Sequence, residues 1–382
     1  MLSEAHGLHV AQIGFHHDPA RRTPRELLEA WPTLVDVAES ASRAHVAVSV
    51  IQACAHEAQF ERNGVRYRFL PFGIEPAHGG LTPLFEQLQT LAPDVLHING
   101  LHYLREIRAL SAHRPDLPLM LQDHANIAPR PWRRPAWRRA FSQVTGIAFC
   151  AREQALPFLE ARLLAQRTRI YEIVESTSRF EPGDRDQARA LTGMHGDPAV
   201  LWIGHLDANK DPLTMLDGVS RASAALPGLR LWCCFASSPL RAAVERRIAG
   251  DAHLRGRVHL LGRLPHERIE PLLRAADLFV LASHREGSGY ALIEALACGL
   301  PPVVTDIPSF RALTGRGAVG RLWPCGEPEG LSQALQAAAR DTGASARAAV
   351  RSHFEQQLSF QALGTRLAAV YRDLCERACA SR

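Results

Sequence analysis

The chain has 382 residues, of which 46% are hydrophobic and 22% are charged. This length exceeds what one hydrophobic core usually serves, so we expect two domains, and the composition excludes disordered and fibrous proteins. The formal net charge of +5 is too small to indicate binding to nucleic acid, although it suits an anionic small molecule or a membrane surface.

The cysteines and the amino-terminal residues bear on the cellular compartment. Eight cysteines form no CxxC pair and are too sparse for a disulfide framework, so we expect reduced thiols. Residues 1–15 lack a basic leader followed by a sustained apolar stretch, and no run approaches the ~20 residues of a membrane span. We therefore expect a cytoplasmic protein that is not integral to a membrane.

Short runs of apolar and β-branched residues alternate with helical patterns along most of the chain, which is typical of βαβ units and parallel sheets. Helical patterns such as 26–42 and 84–91 separate most of the strands. The strands predicted in the first part of the chain are residues 8–15, 46–53, 65–71, 94–99, 119–123, 146–150 and 170–174.

A second series of strands begins at Ala199 and repeats this architecture. The polar segment 180–186, which contains proline and glycine, is expected to join the two series. The last pattern, at 359–380, indicates a long amphipathic helix. The strands predicted in the second series are residues 199–204, 229–235, 258–262, 277–283 and 301–306.

The order of these elements predicts an α/β fold made of two doubly wound, Rossmann-like parallel-sheet domains that face a central cleft. We place the first domain at residues 1–178 and the second at 179–360. The helix within 361–382 is expected to return to the first domain. Ligands are expected at the carboxyl ends of the strands, where open parallel sheets bind them.

The segment 277–306 has the pattern strand, loop, helix, strand, and its loop suits an anion. Gly287, Ser288 and Gly289 stand where the chain turns into the helix, so their N–H groups can point at a phosphate. A helix N-terminus contributes only ~0.3 to 2 kcal/mol to holding a negative charge, which is too little for a diphosphate. We therefore expect a lysine or an arginine to face this turn.

That cation is predicted in the loop after the strand at 199–204. Asp211 has the pattern of a helix N-cap and Pro212 that of the first helical residue, and Lys210 directly precedes them. Lys210 can face the glycine turn if the two strands are neighbours in the sheet. His205, in the same loop, is a second donor for the same phosphates.

Two glutamates flank the glycine turn. Glu286 precedes it in the loop, and Glu294 follows on the helix eight positions later. Carboxylates accept hydrogen bonds from vicinal hydroxyls, such as those of sugars and ribose. The two side chains are therefore predicted to address different ends of one extended ligand.

These segments together resemble the retaining glycosyltransferases of family four, which have the two-domain GT-B fold, and the resemblance covers nearly the whole chain. Family members carry two glutamates separated by seven residues, matched here by Glu286 and Glu294 within EGSGYALIEALACG. They also carry a Gly-Arg-Leu...Lys loop, matched here by GHLDANKDP at 204–212. His205 stands where that loop normally has arginine.

The resemblance implies a donor site in the second domain. Glu286 would contact hydroxyls of the transferred sugar, Lys210 the diphosphate and Glu294 the ribose hydroxyls. Backbone N–H groups of 287–290 would hold sugar and phosphate, and the main chain at 263–264 would bind the base. The residues implied as donor-binding are His205, Lys210, Arg263, Leu264, Glu286, Gly287, Ser288, Gly289, Tyr290 and Glu294.

The resemblance also implies an acceptor side in the first domain. There PLMLQDHANIAP places His124 at the position of the family's active-site histidine, so His124 and Glu286 are the predicted catalytic residues. The family's glycine-rich loop after the first strand is absent, since FHHDPARRTP stands at 15–24. Further acceptor-side candidates near strand ends are His16, His17, His97, His102 and Asp123.

The reaction so implied is transfer of a hexose-type residue from a nucleoside diphosphate sugar to a hydroxyl of a glycan, a glycolipid or a small molecule, with retention at the anomeric carbon. The DRD at 184–186 resembles the metal-binding DxD of a different glycosyltransferase fold, but it lies between the predicted domains, so no metal is expected there. No obligatory cofactor is expected either. The segment 129–141 interleaves Trp132 and Trp137 with arginines, which suits lipid headgroups and peripheral contact with the inner membrane face. No nucleic-acid partner is expected.

Two other functions remain open at this stage. A dinucleotide-dependent oxidoreductase is suggested by GSGYAL after a strand and by Asp306 at the end of the next, although Leu292 stands in place of the third glycine. A sugar-nucleotide-binding subunit without catalysis is suggested by His205 and by the missing first glycine loop.

Overall fold

The computed structural model describes residues 7–73 and 80–380. The chain divides into two compact units. The first comprises the residues up to Thr177 together with those from Phe360 onward, and the second comprises Ser178–Ser359. Residues 1–6, which belong to the amino-terminal pattern considered above, lie outside the described residues.

The first unit is built on an eight-stranded sheet. Its strands are β1 (His9–Gly14), β2 (Ala47–Ala53), β3 (Ala58–Arg62), β4 (Val65–Leu70), β5 (Val95–Asn99), β6 (Leu119–Gln122), β7 (Gly146–Phe149) and β8 (Arg169–Glu172). Their order is β3-β4-β2-β1-β5-β6-β7-β8, and neighbours are parallel except for the antiparallel pair β3 and β4. The chain runs outward from β1 in one direction and then resumes at β5 on the other side of β1.

Helices cover this sheet and bury its apolar strands. Residues such as Val10, Ile13 and Ile98 in the central strands are fully buried, as expected of a parallel sheet covered on both faces. The helices are α1 (Pro24–Ala30), α2 (Pro32–Arg43), α3 (Thr82–Leu91), α4 (Leu104–His113), α5 (Arg134–Phe141), α6 (Leu156–Glu160) and the C-terminal helix (Phe360–Ala380).

The strand β3 is an addition to the predicted elements. It pairs with β4 through a two-residue turn at Asn63 and Gly64, both of which have positive φ. Asn-Gly is the sequence that this tight hairpin turn prefers. The signal was present in the sequence, but the exposed, mostly polar residues of β3 do not form an apolar run.

The C-terminal helix packs against α2 in the first unit. Gly364 allows the close approach, since a Cβ atom built on it would lie 2.0 Å from the carbonyl oxygen of Ser40. At the start of the helix, the guanidinium of Arg43 lies 4.4 Å from the ring centroid of Phe360. Further along, the buried hydroxyl of Tyr371 lies 2.8 Å from Nδ1 of His97 in β5.

The second unit contains a six-stranded parallel sheet. Its strands are β9 (Ala199–Gly204), β10 (Arg230–Phe235), β11 (Val258–Gly262), β12 (Leu278–Leu281), β13 (Pro302–Thr305) and β14 (Arg321–Trp323), in the order β11-β10-β9-β12-β13-β14. The helices are α7 (Arg185–Thr192), α8 (Pro212–Ala222), α9 (Arg241–Ala249), α10 (Ile269–Ala275), α11 (Tyr290–Ala297), α12 (Pro308–Leu313), α13 (Pro328–Ala339) and α14 (Ala344–Gln357). The doubly wound parallel sheets predicted from the sequence are therefore present in both units.

The DRD segment has a structural role at the start of this unit. Asp184 is the N-cap of α7, since its carboxylate accepts a hydrogen bond from the N–H of Gln187 at 2.8 Å. Arg185 and Arg189 of α7 bind the two carboxylate oxygens of the buried Asp277 at 2.8 and 2.7 Å. These contacts fasten α7 to the beginning of β12.

Of the helices in the described parts of the chain, none combines the length and the apolar composition that crossing a membrane requires.

Replacing Gly364 by alanine tests the packing of the C-terminal helix. The added methyl group would collide with the backbone of α2, so Gly364→Ala should lower the free energy of unfolding by about 1 to 3 kcal/mol, measured by denaturant titration. Gly7→Ala is the matched control, because a Cβ atom there meets nothing within 4 Å. Equal stability of both variants would contradict the close approach.

Candidate functional site

In the second unit, the direction of the chain reverses between β9 and β12. These strands are neighbours, with Val200 opposite Leu278, while the connections from β9 lead one way across the sheet and those from β12 lead the other. Such a switch point opens a crevice at the carboxyl ends of the two strands. The loops at 205–211 and 282–289, which carry most of the predicted donor residues, begin there.

Reciprocal hydrogen bonds join these two loops. The N–H of His284 donates to the carbonyl of Asn209 at 2.8 Å, and the side-chain amide of Asn209 donates to the carbonyl of Arg285 at 2.9 Å. The Lys210 N–H donates to the carboxylate of Asp207 at 2.9 Å, which fixes the turn before α8. Each loop therefore holds the other in place.

This arrangement brings Lys210 and Glu286 together. The ammonium of Lys210 binds the carboxylate of Glu286, and the two side chains retain only 18% and 12% of their exposure. Lys210 is also the only lysine in the sequence, where the combined count of lysine and arginine is 44. An ammonium is a compact point charge and differs from the planar fork of a guanidinium, so this position stands apart from every other cation of the chain.

The glycine turn leads directly into α11. Gly289 is its N-cap, with φ of 69°, and a Cβ atom there would lie 2.8 Å from the ring of Phe310. Both the positive φ and the close contact require glycine. Ser288 is buried beneath the turn, and Tyr290 begins the helix with its side chain exposed.

Glu294 lies one turn further along α11 and has a partner that the sequence patterns did not reveal. Nε2 of His266 lies 2.6 Å from its carboxylate, and the His266 ring stacks on Phe180 with centroids 5.0 Å apart. His266 follows β11 by four residues, just after Arg263 and Leu264. Glu286 is thus paired with the ammonium of Lys210, and Glu294 is paired with the imidazole of His266.

His205 takes part in a different contact from Lys210. Its Nδ1 accepts a hydrogen bond from the N–H of Ser237 at 3.3 Å, in the loop that follows β10. In the neutral ring, Nε2 then carries the proton and is the donor. Arg263 is exposed and Leu264 is half-buried after the positive-φ Gly262 that ends β11.

In the first unit, the predicted catalytic histidine is held by a buried acid. Nδ1 of His124 binds the carboxylate of Glu175, a residue that follows β8 and is 5% exposed. The carboxylate of Asp123 accepts the N–H groups of Ala125 and Asn126 at 3.1 and 2.9 Å, which shapes the turn after β6. Asp123 is therefore turned into its own loop.

These neighbours set the protonation of His124 and Asp123. Burial lowers the pKa of His124. The hydrogen bond and charge of Glu175 and the charge of Asp123 together raise this pKa by more than burial lowers it, so it lies above its ordinary value of 6.5. Burial raises the pKa of Asp123 to about 6, and the charge of Glu175 adds to this. Both neighbouring carboxylates thus favour the charged form of the imidazole.

Three of the other first-unit histidines lie at the carboxyl ends of β1 and β5. His16 is exposed and lies against Trp31, with ring centroids 5.3 Å apart and ring planes at 43° to each other. Burial lowers the pKa of His102, and nearby charges on His16 and His124 lower it further. Nε2 of His17 lies 2.8 Å from the carbonyl oxygen of Phe72. The His17 side chain also lines an open cleft of about 450 Å³.

The prediction for His97 is wrong. Its side chain is fully buried within the sheet, bonded to Tyr371, and burial lowers its pKa to about 3. A histidine on an inward position of a central strand cannot touch an acceptor at the edge of the sheet. The position near a strand end suggested exposure, but the C-terminal helix covers it.

Within the described ranges 7–73 and 80–380, no group of three His, Cys, Asp or Glu side chains is placed to hold a metal ion.

Most of the second unit is similar to a known protein family. Residues 184–353, which contain both switch-point loops, match the family described as "Glycosyl transferases group 1". Both the Lys210 loop and the turn between Glu286 and Glu294 fall within the matched residues.

Relatives with curated names match the chain over part of their length. A D-inositol 3-phosphate glycosyltransferase of Rhodococcus erythropolis is 30% identical over 151 residues, which are 38% of this chain and 34% of that protein. The enzyme of the same name from Mycobacterium bovis is 34% identical over 149 residues, which are 37% of this chain and 30% of that protein. The match thus spans about a third of these relatives.

Solved structures match nearly the whole chain. Anabaena HepE in complex with UDP and glucose covers 96% of this chain and 100% of its own, with a TM-score of 0.67 and 17% identity. A glycosyltransferase from Rickettsia africae covers 96% and 98%, with a TM-score of 0.72 and 11% identity. These likenesses confirm the predicted GT-B fold class.

Glu175 and His124 can be tested by titration. Without the hydrogen bond and charge of Glu175, only the charge of Asp123 opposes the effect of burial, so Glu175→Gln should lower the pKa of His124, as followed by NMR. The raised pKa stabilises the folded state where imidazole is charged, so the stability lost in Glu175→Gln should be largest below pH 6.5 and shrink at higher pH. Glu172→Gln, at an exposed position of β8, is the control, and an unchanged His124 pKa in Glu175→Gln would refute the pairing.

Proposed function

We propose that this protein is a retaining glycosyltransferase that transfers a hexose-type sugar from a nucleoside diphosphate sugar to an acceptor hydroxyl. The observation that carries the proposal is the contact of Lys210 with Glu286 at the switch point of a glycosyl transferases group 1 domain. Anabaena HepE, solved with UDP and glucose, supports the donor class. The acceptor is a hydroxyl of a glycan, a glycolipid or a small molecule.

The ion pair explains how the donor would be recognised. The largely buried ammonium and carboxylate neutralise each other, because either charge alone would be costly there. A diphosphate offers the ammonium a stronger anionic partner, and sugar hydroxyls donate to the carboxylate. Donor binding is thus an exchange of partners, and only a ligand with both groups satisfies both side chains.

The remaining donor roles follow the same geometry. The N-terminus of α11 directs the positive end of its dipole at the glycine turn, next to Lys210, and would stabilise the departing diphosphate. Glu294 would exchange His266 for the ribose hydroxyls. The backbone after β11, at 263–264, would hold the base, and no metal or other cofactor is required.

The family resemblance assigns the second catalytic role to His124 of the first unit. Its partner Glu175 fixes the ring and favours the charged form. A charged imidazole can stabilise oxygen atoms on the reacting sugar, and attack assisted by the leaving phosphate would retain the anomeric configuration. Donor hydrolysis in the absence of acceptor should fall in His124→Ala, whereas unchanged hydrolysis would remove this role.

The two alternative functions receive less support. Leu292, at the place of the third glycine of a dinucleotide motif, is fully buried in α11, and Asp306 is paired with Arg311. Fluorescence titration with NADH against UDP and GDP separates an oxidoreductase from a glycosyltransferase. A non-catalytic binding subunit would bind a nucleotide sugar and raise its own melting temperature without hydrolysing it.

Substitution of each partner of the ion pair tests the exchange. Lys210→Ala removes the charge on the diphosphate, so nucleotide-sugar turnover and nucleoside diphosphate affinity should both fall by about 100-fold. Glu286→Gln removes the internal competitor and the negative charge near the phosphates. It should therefore bind nucleoside diphosphate at least as tightly as the wild type while losing turnover.

Calorimetry with UDP and GDP and a transfer assay measure these effects. Arg221→Ala is the control, since its exposed ion pair with Glu329 lies on α8, away from the switch point. Parallel loss of nucleoside diphosphate affinity in both Lys210→Ala and Glu286→Gln would argue against the exchange of partners.

We also propose that the first unit meets an anionic lipid surface. Trp132, Leu156 and Leu159 are 70%, 51% and 45% exposed, and Arg130 lies 5.4 Å from the Trp132 ring. Apolar and aromatic side chains among arginines suit the headgroup region. The prediction that Trp137 also contacts headgroups is wrong, because its side chain packs on Phe141 and Phe158 in the core and is 8% exposed.

Vesicle sedimentation tests this surface. Trp132→Ser should reduce binding to phosphatidylglycerol vesicles by about tenfold or more, because the variant loses the free energy of about 1.5 to 3 kcal/mol that burial of a large apolar side chain in the lipid surface contributes. Leu191→Ser, a change at a residue that is 62% exposed in the second unit, is the matched control. Equal sedimentation of Trp132→Ser and the wild type would exclude the contact.

A further inference from the structure

Three side chains at the carboxyl edge of the second sheet form a relay that the donor roles do not use. Sγ of Cys325 lies 3.2 Å from Nδ1 of His284, and Nε2 of His284 lies 2.9 Å from Oδ2 of Asp211. They come from three segments, the loops after β14 and β12 and the N-cap of α8. Thiol, imidazole and carboxylate in this order form the arrangement in which a base activates a nucleophile and an acid orients the base.

The carboxylate end of the relay is fixed. Oδ1 of Asp211 accepts the N–H of Thr214 at 3.2 Å and caps α8, so Oδ2 is directed at the imidazole. In the neutral ring, Nε2 then donates to Asp211 and Nδ1 accepts from the thiol. His284 is therefore presented to Cys325 as a proton acceptor.

The thiol can be reached from solvent. Six of the eight cysteines are buried, whereas Cys325 is half-buried and Cys379 is exposed. The side chain of His284 is 48% exposed. Burial and the charge of Asp211 raise the pKa of Cys325 above its ordinary value of 9, so the sulfur carries its proton at neutral pH and needs a base to react.

We propose that Cys325 is a modification site whose thiol, activated by His284, adds to α,β-unsaturated carbonyl compounds, and that the adduct blocks nucleotide binding beside it. In this addition an S–C bond forms at the β-carbon and the alkene electrons move to the carbonyl oxygen. The thiol proton passes to His284 and from there to the α-carbon. No further reactant is needed.

The adduct would act on the donor loops through His284. The backbone N–H of His284 donates to Asn209, next to Lys210, and forms one of the hydrogen bonds that join the two loops. A substituent on the sulfur would compete for the space of the His284 ring, whose Nδ1 lies 3.2 Å from the sulfur. The ring must therefore leave Asp211, and the loop that carries Glu286 moves with it.

Alkylation by N-ethylmaleimide, followed by peptide mass mapping of the intact folded protein, tests the thiol. Cys325 and Cys379 should be labelled and the six buried cysteines protected. His284→Gln should slow labelling of Cys325 by about tenfold to 100-fold, because a positioned general base accelerates proton transfer by about 100-fold or more. The rate of labelling at Cys379 should not change. Protection of the buried cysteines reports that the variant is folded. An unlabelled Cys325, or an unchanged rate in His284→Gln, would overturn the proposal.

The effect on nucleotide binding rests on the proposed function and has its own measurement. Calorimetry with UDP, GDP and ADP should show that labelling abolishes binding to the wild type, while Cys325→Ser, treated in the same way, still binds. Undiminished binding by labelled wild type would overturn the coupling. If untreated wild type binds none of UDP, GDP and ADP, the proposed function and the coupling both fail, and the labelling rates still decide the reactivity of Cys325.

Discussion

The donor chemistry assigned to the second unit depends on the ion pair between Lys210 and Glu286. Taking either charge out of water alone would cost several kcal/mol, so the two side chains can stay largely buried only with each other or with a ligand that replaces the partner. The pair thereby holds the site in a form that favours a ligand with a phosphate at one end and hydroxyls at the other. The identity of the cation supports this reading, since the chain uses arginine everywhere else.

Sheet topology places this pair, and it places the histidines in the same way. The chain reverses at β9 and β12 in the second unit and at β1 and β5 in the first. Each reversal leaves a crevice where loops from neighbouring strands meet without a covering helix. In one unit these loops carry Lys210 and Glu286, and in the other they carry His16 and His102 beside His124. The fold thus sets the location, and a few loop residues set the chemistry.

Much of this was predictable from the sequence, because the signals are local. Apolar runs predicted the central strands, and the glycines before α11 predicted a turn that requires glycine. The position of Lys210 before a helix cap predicted its place beside the glycine turn once β9 and β12 became neighbours. The three-residue β14 and the polar β3 are too short or too exposed to give an apolar run.

The remaining features depend on contacts between distant segments. Glu175 and His266 become partners of His124 and Glu294 only through pairing in space, and isolated acids or histidines give no such signal. The predictions for His97 and Trp137 were wrong for a related reason. Histidine and tryptophan suggested exposed sites, but the C-terminal helix and the helix α6 cover them. Burial by a distant segment is not visible in local spacing.

The central claim can be measured directly because the chain has one lysine. Reductive methylation with ¹³C-formaldehyde would place a label on Lys210 and on the α-amino group, and the two signals differ in their titration. The Lys210 signal should shift when a nucleoside diphosphate sugar replaces Glu286 as its partner. A signal that stays unchanged with saturating UDP, GDP and ADP sugars would contradict the exchange of partners.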